Sequence, residues 1–524
     1  MIPNEHDPRL LELPPNEVGA FAILRSELTR KNTLITEFSE ARPSSAAAYN
    51  ALGGMIMEAY LDSVEEIGAL GIPYHHNLGV ALFCSLHTHA CYHYYREYDR
   101  LQGLPESAVA PEMIRRKRSI KDLLAAARRR LPSATRSFRK NEWNVAFAGT
   151  TTFTWESLRS ALALKDVALR RASTGQPLIF PRADLQSGVL RAWMHTIHDS
   201  VSTMLGVPPA TISRYGPDPL GLLLSRIAST PALSDIPPDL LITGTLGNLA
   251  TRVTALSAMG RGIPVLTFHH GAQSVIWDEP YFDLYEGSLP DFRVLYGDID
   301  LQRQVGAATT PSNLRGGETR LFSRTDKTVQ HFHSGAPVET LTSLKGKSVL
   351  YLASEFQTIR YGPFRDIHPS TYLGWQQKLL AWLETQTGMA PEVRLHPKRP
   401  STHFDPQGYP LSHGDLIQAI ERANVLVLDY PTTSLPIVIA TTKPVLYFEL
   451  GIRRLFPAAA QAIAVRCMTS ATDVFDPSAA FTAIEASLGK ICRDSFSGIF
   501  SVAPGSDDEL SDSVKAITQA LSIR

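Results

Sequence analysis

Two histidines and a run of hydroxyls are the side chains of this 524-residue chain whose types and settings suggest chemistry. His270 lies in Phe268-His269-His270-Gly271, directly after the apolar run Ile263 to Phe268. A histidine at the carboxyl end of a strand, freed by a following glycine, faces a cleft rather than a core. There it can act as a general base toward an acceptor hydroxyl or as a proton donor to a phosphate oxygen. Strand alternation turns the adjacent His269 the other way. His396 opens His396-Pro397-Lys398 after a second apolar strand end, Glu392 to Leu395. Proline forces an extended geometry on His396, and Arg394 and Lys398 add positive charge. Thr432, Thr433 and Ser434 follow Asp429-Tyr430-Pro431 where a helix should begin. Hydroxyls there can cap free backbone N–H groups, and those same N–H groups can hold a phosphate. Such groups can neutralise the phosphate of a departing nucleotide without a metal, and leaving-group stabilisation is typically the largest catalytic contribution of a site like this.

A group transfer to a hydroxyl also needs a base, or a carboxylate nucleophile where configuration is retained. The candidates are Glu156, Asp278, Glu279 and Glu355, with Glu355 in the long loop beside the donor-binding groups. Each taken alone also reads as a solvated surface acid. Asp429 reads as structural, capping its own loop. Trp277, Tyr281 and Phe282 can stack on a sugar, and aromatic core packing explains them equally well.

The elements that must position these groups are repeated strand and helix units. Val425-Leu426-Val427-Leu428 is a short β-branched and apolar run of the kind that forms a central parallel strand covered on both faces. The polar loop, a helix over Leu435 to Ala440, and the strand Val445 to Phe448 follow it. The strand ends before His396 and Thr432 are expected side by side at the carboxyl edge of one sheet, where ligands of such sheets bind. Further strands are expected at Val145 to Gly149, Pro177 to Phe180, Asp239 to Thr243, Ile263 to Phe268, Phe292 to Tyr296, Ser348 to Ala353, Glu392 to Leu395 and Ala462 to Val465. Helices are expected at 155–172, 189–205, 372–387, 415–423, 478–488 and 507–523. Alternation of this kind implies parallel, doubly wound sheets. Gly244-Thr245-Leu246-Gly247-Asn248 resembles a glycine-rich phosphate loop without matching its spacing. The expected organisation is a helical region 1–140, a Rossmann-like acceptor unit 141–300, a polar connector 301–345 and a Rossmann-like nucleotide-donor unit 346–524. Two such sheets facing a cleft make the GT-B arrangement.

Composition narrows the class. With 44% hydrophobic and 19% charged residues the chain can build more than one ample core. Lys+Arg and Asp+Glu are equal at 51 each, which argues against a nucleic-acid partner. Four cysteines in so long a chain make no disulfide framework and favour a reducing compartment. No basic and apolar leader opens the sequence, and no window is apolar enough to span a bilayer. A cytoplasmic protein is expected. His87, His89, Cys91 and His93 lie close together, but no convincing carboxylate or second ligand pair at a known spacing accompanies them, so they read as a polar helix face rather than a metal site. The basic run 115–140 reads either as a solvated helix face plus linker or as a surface that meets anionic lipid headgroups, at the inner membrane, or an anionic acceptor.

Phe268-His269-His270-Gly271, Leu395-His396-Pro397-Lys398 and Leu426 to Ser434, followed by Lys443-Pro444-Val445-Leu446-Tyr447-Phe448-Glu449, resemble landmarks of bacterial envelope-polymer transferases of GT-B type. One such group is the CDP-glycerol glycerophosphotransferases of teichoic acid assembly. The other comprises capsule and O-antigen transferases that use CMP-activated Kdo or sialic acid. The resemblance covers mainly residues 239–450. It implies that His396 contacts the donor phosphate, that Thr432, Thr433 and Ser434 bind that phosphate or the cytidine ribose, and that His270 lies near the reacting centre. Serines usually stand where this chain has Pro431-Thr432-Thr433, and the acidic pair with glycine of several sialyltransferases has only partial echoes at Tyr285-Glu286-Gly287 and Asp278-Glu279-Pro280. The expected function is transfer of a CMP-activated ulosonic acid to a glycan or lipid-linked glycan, with no cofactor or metal required. The alternatives are CDP-polyol phosphate transfer, sugar-nucleotide epimerisation, and a non-catalytic subunit of the assembly machinery.

Overall fold

The computed structural model describes residues 145–148, 239–278, 290–297, 319–353, 369–395, 408–495 and 500, with short gaps that include 247–250, 269–270, 325–326, 432 and 454. The chain contains two parallel-sheet α/β units, as expected from the sequence. The helical region 1–140, the basic run 115–140, and the elements expected at 155–172, 177–180, 189–205 and 507–523 lie outside the described residues.

In the first five-stranded sheet, β1 (Val145–Ala148), β2 (Leu240–Thr243), β3 (Val265–Phe268), β4 (Phe292–Tyr296) and β5 (Arg320–Arg324) pair in parallel in chain order. Every residue of β2, β3 and β4 is buried, as central strands covered on both faces require. Thr251, Thr254, Ala255, Ala258 and Met259 are helical and buried, a spacing that lines one helix face. That helix ends at Gly262, whose φ of 76° suits glycine. Gly262 N–H donates to Met259 O and Ile263 N–H to Ala258 O, the paired bonds of a Schellman stop.

The expected connector 301–345 is corrected by two elements, strand β5 and a helix here called α2 (Lys327–Phe332). The first sheet therefore continues past Tyr296. Arg-Leu-Phe-Ser-Arg hides its strand character because, among the described residues, β5 pairs only with β4 and its first residue, Arg320, is exposed.

The second sheet has the order β10-β9-β8-β6-β7. Its members are β6 (Val349–Leu352), β7 (Glu392–Arg394), β8 (Val425–Leu428), β9 (Val445–Glu449) and β10 (Met468–Ala471). Strand periodicity sorts the side chains. Leu350, Leu352, Leu426, Leu428, Val445 and Tyr447 face one core, shared with helices α4 (Leu416–Arg422), α5 (Ser434–Ile439) and α6 (Pro457–Arg466). Val349, Tyr351, Val425, Val427, Leu446 and Phe448 face the other, under α3 (Pro369–Thr387) and α7 (Ser478–Ala486). Asp415 caps α4, accepting from Ile417 N–H at 2.9 Å.

The strand expected at Ala462 to Val465 is instead part of α6, and the strand lies just beyond it at β10. Pro457 at the first helical position and the alanines that follow favour helix strongly enough to carry Ile463 and Val465 with them. Cys467 and Cys492 are buried free thiols, and burial pushes Cys467 up to about 12.

Three helix ends in this unit are finished by cations from distant segments. Lys443 Nζ donates to the Glu421 and Ala423 carbonyls at the end of α4. Lys490 Nζ donates to the Ala464 and Cys467 carbonyls at the end of α6. Arg466 is fully buried and spans the end of α5, with Nε on Ile439 O at 3.0 Å and one terminal nitrogen on Thr441 O at 2.6 Å and Lys443 O at 2.9 Å. Burial lowers its guanidinium from the ordinary value, yet carbonyl dipoles at a helix C-terminus suit a cation. Arg466→Met keeps the bulk and strands these carbonyls. We expect a loss of about 2–4 kcal/mol, read as a lower urea midpoint than wild type.

Candidate functional site

In the second sheet the chain order reverses between β6 and β8: the connection from β6 leads to β7 on one side, and that from β8 leads to β9 on the other. Ligands of open parallel sheets bind outside the carboxyl ends at such a reversal. The two strand ends expected side by side are not neighbours, because β6 stands between β7 and β8. Two strand spacings of about 4.8 Å then separate them by about 10 Å. What comes together is a row of three strand ends, β7, β6 and β8. From these the sequence continues into His396, into Glu355, and into Thr432 to Ser434 respectively.

Arg394 is the last residue of β7, and its guanidinium donates to Gly414 O at 2.6 Å and Ser412 O at 3.4 Å. It thereby ties the β7 edge to the turn before α4. Thr433 is exposed and precedes α5 without a side-chain capping bond. At Thr433 the expected hydroxyl cap is not made: with φ −55° and ψ −22° it is already helical, whereas a capping side chain needs an extended backbone. Ser434 is the first residue of α5 and half-buried. His270, Glu156, Glu279, His396, Lys398, Glu355 and Thr432 lie outside the described residues. Gly271, directly after the histidines, has φ 85°, so the turn that follows β3 takes a backbone that glycine supplies without strain.

Asp429 does not cap its own loop. Its side chain follows the alternation of β8 onto the face where Tyr351, Tyr372 and Trp375 lie, and its Oδ2 accepts from all three. The Tyr372 hydroxyl is 2.7 Å away and the Trp375 indole nitrogen 3.0 Å. Gln376 donates to the Tyr351 hydroxyl at 2.7 Å and extends the network. The loop root is thus pinned to the neighbouring strand and to α3. Burial raises the Asp429 carboxyl from its ordinary value, and the three donors pull it partly back. Burial, then the Asp429 charge, raises Tyr351 well above its own, so it remains a donor. A buried run that ends in an acid is the only trace of this network in the sequence.

The first unit meets this loop through α1 (Gln273–Ile276) and the residue after it. Trp277 donates its indole N–H to Pro431 O at 2.9 Å, across 154 residues of sequence. Its ring meets Tyr430 edge-on at 6.1 Å, and the Arg453 guanidinium carbon lies 4.7 Å from its centroid. Trp277 is 8% exposed, which favours packing over stacking on a sugar. Arg453 carried no signal in the sequence that set it apart from other arginines.

The raised Asp429 carboxyl has a pH consequence of definite sign. A folded pKa above the unfolded one gives stability that is full below the unfolded value and lost as pH rises through the folded value. Wild type should therefore lose stability relative to Asp429→Asn as pH rises from the acidic range to neutrality. Urea midpoints of both proteins at pH 4, 5, 6 and 7 check this, and a constant difference between them contradicts it.

No protein-family model matches the chain, and no curated sequence matches it. Among solved structures, MurG of Acinetobacter baumannii is similar at 8% identity and a TM-score of 0.32, over 72% of this chain and 99% of that one. The glycotransferase of kitacinnamycin is similar at 11% and 0.34, over 71% and 95%. The calicheamicin glycosyltransferase CalG4 is similar at 11% and 0.33, over 72% and 98%. Among the described residues no helix is long and apolar enough to cross a membrane.

Proposed function

We propose that this chain is a glycosyltransferase of bacterial surface-polysaccharide assembly that moves a CMP-activated ulosonic acid, of Kdo or sialic type, onto a glycan acceptor. The observation that carries the reading is the row β7-β6-β8 at the order reversal, with Trp277 bringing the segment after β3 against the loop after β8. Three of the motifs that resemble envelope-polymer transferases then follow in sequence from the carboxyl ends of β3, β7 and β8, while Lys443 to Glu449 enters and forms β9.

In this reading an acceptor hydroxyl oxygen attacks the anomeric carbon of the ulosonic acid. The bond from that carbon to the phosphate oxygen breaks, and CMP leaves with the bonding pair. His270, Glu156 or Glu279 takes the acceptor proton. His396, Lys398 and Arg394, with Thr432, Thr433, Ser434 and Glu355 around the nucleotide, hold the departing phosphate monoester. Positive charge and N–H groups aimed at developing negative charge lower the barrier directly. The reaction then needs no metal. The basic run 115–140 would keep the enzyme at the inner face of the membrane, where a lipid-linked acceptor resides.

Calorimetric titration of the purified protein with CMP, CDP and UDP tests this, with His396→Ala beside it. We expect CMP to bind, and its affinity to fall about tenfold or more in the variant, the loss of a charge-assisted contact. Clear preference for CDP would transfer the assignment to polyol-phosphate transfer, and preference for UDP to an epimerase or hexose transferase. Absence of nucleotide binding would leave a non-catalytic assembly subunit.

A further inference from the structure

Pro431 has no backbone N–H, so its carbonyl is its one polar group. That carbonyl is buried, and a buried carbonyl requires a donor. The donor is the Trp277 indole, which belongs to the other sheet's unit. The contact is well anchored on both sides. Phe456 N–H donates to Ile276 O at 3.0 Å, and Trp277 forms an antiparallel bridge with Leu455. The Arg453 guanidinium covers the indole and also lies 5.8 Å from the Tyr430 ring. Two residues before Pro431, Asp429 is pinned by Tyr351, Tyr372 and Trp375.

The loop root therefore has two fixed points, one supplied by its own sheet and one from across the seam. Because a peptide unit is planar, holding the Pro431 carbonyl holds the plane of the bond that leads on toward Thr433 and Ser434. We propose that Trp277 is a positioning residue for the nucleotide-binding loop: its indole N–H sets the Pro431 carbonyl, so that affinity for the nucleotide phosphate on the second sheet depends on the docked segment of the first. Trp277 touches no reacting atom. It acts through the loop, and a ligand held by that loop in turn tightens the seam, since coupling between sites is reciprocal. This rests on the nucleotide-site reading above.

Trp277→Phe keeps an aromatic ring beneath Arg453 and removes the N–H donor together with part of the indole volume. Trp382→Phe is the matched control, since it removes the same indole volume and a donor that bonds Glu485 Oε1 at 2.9 Å, two helical turns along α3 from Trp375. CMP titration should show affinity about five- to tenfold weaker in Trp277→Phe, the equivalent of one hydrogen bond, and unchanged in Trp382→Phe. Thermal midpoints of both variants separate this from a general loss of stability. In wild-type protein, hydrogen exchange with and without CMP should show added protection in peptides covering 271–278 as well as 424–440, which keeps the test intact if Trp277→Phe fails to fold. Equal CMP affinity in wild type and Trp277→Phe, or protection confined to 424–440, overturns the coupling and leaves the nucleotide site standing. Failure of the wild type to bind CMP overturns the CMP-donor reading and this inference together.

Discussion

A buried backbone carbonyl must find a donor, and much of the second unit is arranged around that requirement. Lys443, Arg466 and Lys490 each reach a helix C-terminus from a different part of the chain. The Pro431 carbonyl is served in the same manner, but from the first unit. Such bonds are individually modest, roughly 1 kcal/mol net, while leaving the acceptor unpaired costs more. They therefore act less as a source of stability than as a constraint on which arrangements are tolerated.

The same logic governs the buried charges. Arg466 is paired with carbonyl dipoles, and Asp429 with the neutral hydroxyls of Tyr351 and Tyr372 and the Trp375 indole. Dipoles compensate a buried ion incompletely, so desolvation still dominates both titrations, raising Asp429 and lowering Arg466. The acid stands at the carboxyl end of β8, beside the order reversal. A costly group held at the root of a candidate binding loop is what pre-organisation of that loop requires. Arg466 closes the other end of α5, so the short helix after the loop is gripped at both ends.

Much of this was legible in the sequence where the physics is local. Val425 to Leu428 declares a doubly covered strand because its side chains alternate between two apolar faces, and Asp415 declares a helix start because its carboxylate reaches a free N–H two residues on. Local rules erred where two of them competed. Ile463 and Val465 look like strand residues, but Pro457 and the alanines had already committed the segment to helix. Thr433 looks like a cap, but its backbone turns helical one residue early.

By itself, the sequence determined two successions of parallel strands and the polar residues that end them, because side-chain period, proline and glycine act within a few bonds. Only the tertiary structure decided that β6 lies between β7 and β8, since strand order is chosen by which apolar faces can be covered together. It alone decided that Asp429 answers to Tyr351 and α3 rather than to its own loop. It alone joined Trp277 to Pro431, a bond between residues 154 positions apart, which no local propensity encodes and which exists only when both sheets have formed.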